Sequence, residues 1–257
     1  MAFGGEIILR ASSWRRLARF GAFATAAALS PSTYGPQARS LAARQVYHTA
    51  WTVLPGYLAF TALMSMVVIE IVRQASTKYG LSQVSLELVL RVLILELIPL
   101  LTALFVALRS GAAIGTEVAL MRASGELDDH EEAGGSPLHA ELVPRIAGAA
   151  LAVFALTTLA IALAMYIAYT AFFGDSNAGL TIFTRVVGDV FDFPILVGFA
   201  IKCLLFGLAV ALIPLATGLE AQPGDPRSVP AAVLAGLMKL FLVIGLLEVL
   251  SLVVKYV

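Results

Sequence analysis

Long apolar runs, each carrying at most two charges and separated by shorter polar stretches, make up most of this chain after its first fifty residues. The runs cover about 51–72, 88–108, 146–173, 195–219 and 231–254. Each is near or above the roughly 20 residues that an α-helix needs to cross the hydrocarbon of a bilayer. Trp51 stands at one end of the first run, where an aromatic belongs at the membrane surface. The pattern therefore predicts an all-α integral membrane protein with about five transmembrane helices rather than a soluble domain.

Composition agrees with the pattern. Of 257 residues, 60% are hydrophobic and 13% charged, with a mean hydropathy of +0.91. Soluble domains lie nearer 45–50% apolar and about 25% charged. The 17 basic and 17 acidic residues cancel, so nothing in the charge points to nucleic acid. The lone cysteine, Cys203, lies in an apolar run, and no intramolecular disulfide is possible.

The first fifty residues differ. They hold Arg10, Arg15, Arg16, Arg19, Arg39 and Arg44, and a single acid, Glu6. Between Ile7 and Leu29, arginines alternate with apolar residues and Trp14. This fits an amphipathic helix lying in the membrane surface. A cleaved signal peptide, with Arg15-Arg16 before the apolar run Phe20–Leu29, is the alternative. Pro31, Gly35 and Pro36 break that helix within the N-terminal segment, 1–50, before the membrane domain, 51–257, begins. If the N-terminus is inside, those arginines share the inner side with Arg109, Arg122, Arg145 and Arg227. Arg73, Lys78, Arg185 and Lys255 are then outside. The positive-inside rule favours that orientation, with a cytoplasmic N-terminus and an outward C-terminus.

Candidate chemistry is sparse. Glu126 to Glu132 contains Asp128, Asp129, His130 and Glu131, with His139 nearby. Such a cluster suits a divalent metal, or magnesium with a diphosphate, if a second acidic motif faces it. No second motif is present, and a solvated helix face closed by Gly134-Gly135-Ser136-Pro137 explains the cluster as well. The chain has no phosphate-binding loop of the Gly-x-x-x-x-Gly-Lys-Ser/Thr type, no Gly-x-Ser-x-Gly elbow, and no zinc-spaced histidine pair. Any ATP hydrolysis belongs to another chain. Gly111 and Gly115 are spaced for close helix packing. The charges inside the runs, Glu96, Lys202, Lys239 and Glu248, must be paired, wetted or snorkelled. Snorkelling suits Glu248, near the end of its run. It does not suit Glu96, which has apolar neighbours on both sides and Pro99 just beyond, so Glu96 is expected to face a cavity or a partner.

A longer signal crosses the second run. Glu96-Leu97-Ile98-Pro99, then Arg109-Ser110-Gly111-Ala112-Ala113-Ile114-Gly115-Thr116-Glu117, then Met121-Arg122, resembles the signature of MlaE-type permeases. Those read Glu-Leu-Gly-Pro, Gly-Arg-x-Gly-Ser-Ala-Ile-x-x-Glu and Met-Arg in the same order. The match continues at Asp128, Glu131, Gly134, Pro137 and Val143-Pro144-Arg145, and again at Ile201-Lys202-Cys203-Leu204-Leu205-Phe206-Gly207. It covers about residues 40–257. Ile98 and Leu108 replace family glycines, and Leu95 stands where an arginine often precedes the glutamate, which leaves Glu96 without an adjacent cation.

The resemblance implies a lipid-moving half-transporter of the bacterial inner membrane. Its partners would be a second permease chain (an identical or an unequal one), a cytoplasmic ABC ATPase dimer that carries the ATP and magnesium, and a periplasmic MCE-domain hexamer, with phospholipid as the cargo. This chain itself would hold no cofactor and no metal. The segment 117–137 would be the coupling helix between the second and third spans, with Glu117, Met121, Arg122, Asp128 and Glu131 at the ATPase contact. Glu96, with Leu58, Phe60, Leu63, Met64 and Val67 of the first span, would line the lipid cavity. Pro99, Arg109, Gly111, Gly115 and Lys202 would serve packing. The departures leave open a non-catalytic partner in an unequal pair. The acidic cluster leaves open, more remotely, an intramembrane metal-dependent enzyme.

Overall fold

The computed structural model describes residues 36–81, 84–127, 143–174 and 179–256. The N-terminal amphipathic segment, Asp128, Glu131 and the histidines of the acidic cluster lie outside the described residues. Among the described residues there are only helices and their connections. Five helices are long and apolar enough to cross a membrane. They are α1 (Pro36–Lys78), α2 (Ser85–Ser124), α3 (Val143–Phe173), α5 (Phe193–Gly218) and α6 (Val229–Tyr256). A shorter helix, α4 (Leu180–Val190), lies between α3 and α5.

Helix α1 begins at a proline, which has no N–H to leave unpaired in the first turn. It runs unbroken through the expected boundary at residue 51. Among its described side chains the buried ones, Val53, Tyr57, Thr61, Ser65, Ile69 and Ser76, recur at spacings of four and seven and form one narrow stripe. That stripe packs chiefly on α3. The opposite face, with Leu63, Met66, Val67 and Ile71, is exposed, as lipid-facing residues are. Gly80 ends the helix at φ +72°, and Leu81 N–H reaches back to the Ser76 carbonyl at 2.7 Å. This bond is the closure that a left-handed glycine makes possible.

Helix α2 is the most buried of the spans. At 40 residues it extends well beyond bilayer thickness. Two stretches, Leu90–Leu97 and Ala107–Gly111, are wound as π-helix, and Ile98 N–H bonds Leu93 O, five residues back. Such widened turns rotate the residues after them and recur at functional sites. The helix ends at Gly125, φ +86°. The expected coupling helix therefore does not start afresh at residue 117: Glu117–Ser124 continue the span, and Gly125 closes it. Gly224 N–H in the α5–α6 loop caps the Ala123 carbonyl at 2.9 Å.

Helix α3 offers a seam of small residues, Ala149, Ala152, Ala160, Ala164 and Ala168, all fully buried. It packs on both α1 and α5. Gly207 of α5 meets it so closely that a methyl there would stand 2.9 Å from the Ala150 carbonyl oxygen. The mixed stretch between the third and fourth runs contains α4, held by Phe183 against Tyr169 and Phe173 in an edge-on aromatic cluster. Asp192 then caps α5 by accepting a bond from Ile195 N–H at 3.1 Å.

Helices α2 and α5 run parallel, as the pairs Glu96–Lys202 and Gly115–Gly218 show. Their crossing is tight. Gly111 and Gly115 lie against Pro214, and a methyl on Gly218 would stand 2.8 Å from the Gly115 carbonyl oxygen. Helix α6 runs antiparallel to α5, with Gly236 against Thr217 at one end and Glu248 on Lys202 toward the other. One core joins all five spans, from Tyr57 and Ile69 on α1 to Leu240 and Ile244 on α6.

Candidate functional site

The π-wound stretch of α2 places Glu96 toward α5 and α6, and Lys202 reaches it there. The Lys202 amine lies 2.5 Å from one Glu96 oxygen and 2.7 Å from Glu248 of α6. The second Glu96 oxygen is held at 2.6 Å by Lys255, from the last turn of α6. Two lysines and two carboxylates thus form one linked network that spans three helices. Their side chains are only 5% (Lys202), 10% (Glu96), 12% (Glu248) and 19% (Lys255) exposed. Charges withdrawn this far from water persist only when paired.

Pro99 contributes to this arrangement. It has no N–H for the carbonyl four residues back, that of Leu95. Lys202 donates to that carbonyl at 3.4 Å as well as to Glu96. The Phe206 ring, one turn along α5, lies 5.8 Å from the amine. Lys202 is therefore enclosed by a carbonyl, two carboxylates and an aromatic face.

A cavity of about 440 Å³ opens beside the network. Its walls are α5 residues such as Ile195, Phe199 and Leu205 and α6 residues such as Leu247 and Val254. Glu96, Lys202, Ser251 and Lys255 supply its polar patch. Pro194 and Lys255, at the start of α5 and the end of α6, place it toward the end of the bundle that carries the C-terminus. An apolar chamber with charge gathered on one side suits an amphiphile.

A second buried polar contact ties α1 to α2. The Tyr57 hydroxyl lies 2.5 Å from Thr102 Oγ1, and Thr102 donates to the Ile98 carbonyl at 2.8 Å. Tyr57 also stacks at a tilt on Phe105. This contact fixes the part of α2 just beyond its first π-wound stretch against the first span.

A family model described as Permease MlaE matches residues 42–254. The chain belongs to the MlaE permease family. It is similar to the intermembrane phospholipid transport system permease protein MlaE of Haemophilus influenzae, with 32% identity over 141 residues. That alignment covers 53% of this chain and 53% of the relative, so the chain spans about half the length of the curated relative it matches.

On this MlaE-family scaffold the sequence-derived candidates are widely distributed. Glu96 and Lys202 meet in the network, and Pro99 lies buried beneath it. Leu58, Phe60, Leu63, Met64 and Val67 do not line the cavity between α5 and α6. They lie on α1, where Phe60, Leu63 and Val67 are exposed. Gly111 and Gly115 sit in the α2–α5 crossing, while Arg109 is exposed. Near the far end of α2, Glu117 is exposed, Met121 is buried and Arg122 is half-buried.

Two members of the network were not expected. Glu248 does not snorkel: it is buried and pairs with Lys202. Lys255, which counts in the sequence as an outer-surface charge, turns back to a glutamate 159 residues earlier. Lys239, also within a span, pairs with Glu220 at 3.1 Å near the opposite end of α6. The signal in each case was the charge itself. Helical spacing places Lys255 on nearly the same face as Glu248, seven residues earlier, and only packing shows what that face meets.

Proposed function

We propose that this chain is the transmembrane permease subunit of a bacterial ABC transporter. It moves phospholipid or a related lipid between the inner membrane and a periplasmic MCE-domain carrier. The family match over residues 42–254 of a five-span bundle carries the reading. The name of the Haemophilus relative supplies the cargo class. The apolar cavity with its charged side gives that cargo a place, with acyl chains along α5 and α6 and the headgroup toward Lys255 and Ser251.

ATP is hydrolysed on a separate ATPase chain, because this sequence has no phosphate-binding loop. The segment 117–137 receives ATPase motion, with Glu117 and Arg122 at the contact, the buried Met121 bracing the end of α2, and Asp128 and Glu131 following in the sequence after Gly125. The same helix carries Glu96. At 1.5 Å per residue, Arg122 lies about 39 Å along α2 from Glu96. A push at one end is thus delivered to the charge network by a single rod whose π-wound turns can yield. A second permease chain, identical or unequal, completes the transmembrane unit. The N-terminus lies in the cytoplasm and the C-terminus in the periplasm, so that the cavity opens toward the carrier.

The test is purification in mild detergent, with mass spectrometry of co-purifying proteins and lipids. An ABC ATPase, an MCE-domain protein and bound phospholipid are expected. Recovery of the chain with neither protein would refute the transporter reading. In the assembled complex, Glu96→Ala is expected to slow lipid transfer while the subunits stay together; full transfer by that variant would remove Glu96 from the mechanism.

A further inference from the structure

The charge network is balanced before any ligand arrives. Lys202 and Lys255 are matched by Glu96 and Glu248, and the longest of the ion-pair distances among them is 2.7 Å. All four side chains are less than one-fifth exposed. The members do not face the cavity equally. Glu96, Lys202 and Lys255 line it, with the Ser251 hydroxyl beside them, whereas Glu248 stands behind Lys202 and does not.

We propose that the cavity selects a phospholipid with a zwitterionic amine headgroup over one with a net negative headgroup. This rests on the permease reading above. The phosphate takes Lys255 and Ser251, and the ligand's ammonium takes the Glu96 carboxylate that Lys255 releases. Each charge keeps a partner, and the total inside the cavity stays at zero. An anionic headgroup instead adds one charge with no counterpart. In a site this withdrawn from water, an unmatched charge is penalised far more than at a surface. Lys255 is the mobile member. It sits one residue from the end of α6 and is the most exposed of the four, whereas Lys202 is held mid-helix by two carboxylates and the Leu95 carbonyl. The cation thus comes from the far end of the chain to a glutamate whose preceding residue is Leu95.

The experiment uses the full chain, purified with whatever subunits it retains. It is equilibrated with equal amounts of isotopically distinct phosphatidylethanolamine and phosphatidylglycerol carrying the same acyl chains, and bound lipid is read by mass spectrometry. The wild type is expected to hold phosphatidylethanolamine over phosphatidylglycerol by about tenfold, which is ~1.4 kcal/mol. Glu248→Gln, which touches no cavity surface but leaves Lys202 one carboxylate short, is expected to erase or invert that preference. Lys255→Gln, at a helix end where folding is least at stake, is expected to lower binding of both lipids. Equal binding of the two lipids by the wild type, or a preference that Glu248→Gln leaves unchanged, overturns the selectivity and leaves the permease reading standing. Retention of neither lipid on the purified protein overturns both.

Discussion

Replacing Lys202 by methionine tests whether the network is a structural necessity of the bundle. Methionine keeps the apolar stem and removes the amine. Glu96 keeps Lys255, but Glu248 loses its cation at 2.7 Å. Two unit charges 4 Å apart attract by roughly 4 kcal/mol at an effective dielectric of about 20. Much of that attraction offsets desolvation. Removing one partner of a buried pair nevertheless leaves the other charge stranded, and such changes destabilise by ~3–5 kcal/mol. A loss of about 3 kcal/mol is expected for Lys202→Met, measured by unfolding of the detergent-solubilised protein. The sharper test is the double variant Lys202→Met with Glu248→Gln. It removes the stranded charge and keeps its shape, so most of the loss should return. A Lys202→Met variant within about 0.5 kcal/mol of wild type, roughly the scatter of neutral surface changes, would refute the reasoning. So would a double variant whose loss is the sum of the two single losses.

Other expectations rest on single contacts. Gly218→Ala puts a methyl 2.8 Å from the Gly115 carbonyl oxygen, where backbone must shift. It is expected to destabilise by ~1–3 kcal/mol, seen as a lower melting midpoint. Gly125→Ala forces an L side chain to φ +86°. It is expected to lower stability by roughly 1–2 kcal/mol and to slow ATP-driven transfer in the complex by altering the exit from α2. Tyr57→Phe removes a buried hydroxyl from Thr102, which keeps its bond to the Ile98 carbonyl. A loss of about 1 kcal/mol is expected, and a loss above ~3 kcal/mol would show that the contact does more than join α1 to α2. Reversing Glu117 to lysine, exposed near the Gly125 end of α2, is expected to lower ATPase co-purification, read by mass spectrometry of the purified complex.

Much of this protein was legible along the chain because a bilayer imposes a one-dimensional rule. Spans must be apolar for about 20 residues, and the five runs, the glycine-spaced segment at Gly111 and Gly115, and the family signature through Arg122 need no packing to be recognised. Element limits were less legible. Nothing in the composition of 36–50 or 109–124 separates a helix that leaves the membrane from a polar loop, so α1 and α2 extend past their expected ends. Helix α4 was missed because its residues are mixed, and Phe183, set against Tyr169 and Phe173, gives it a face to bury. The charges of the site could be seen one by one, and their cost in a membrane marked Glu96 and Lys202 in advance. Their partnership was invisible. Glu96 meets Lys202 across 106 residues and Lys255 across 159. A residue pattern records which face of a helix a side chain occupies. Which helices lie together, and so which charges neutralise one another, is decided by packing alone.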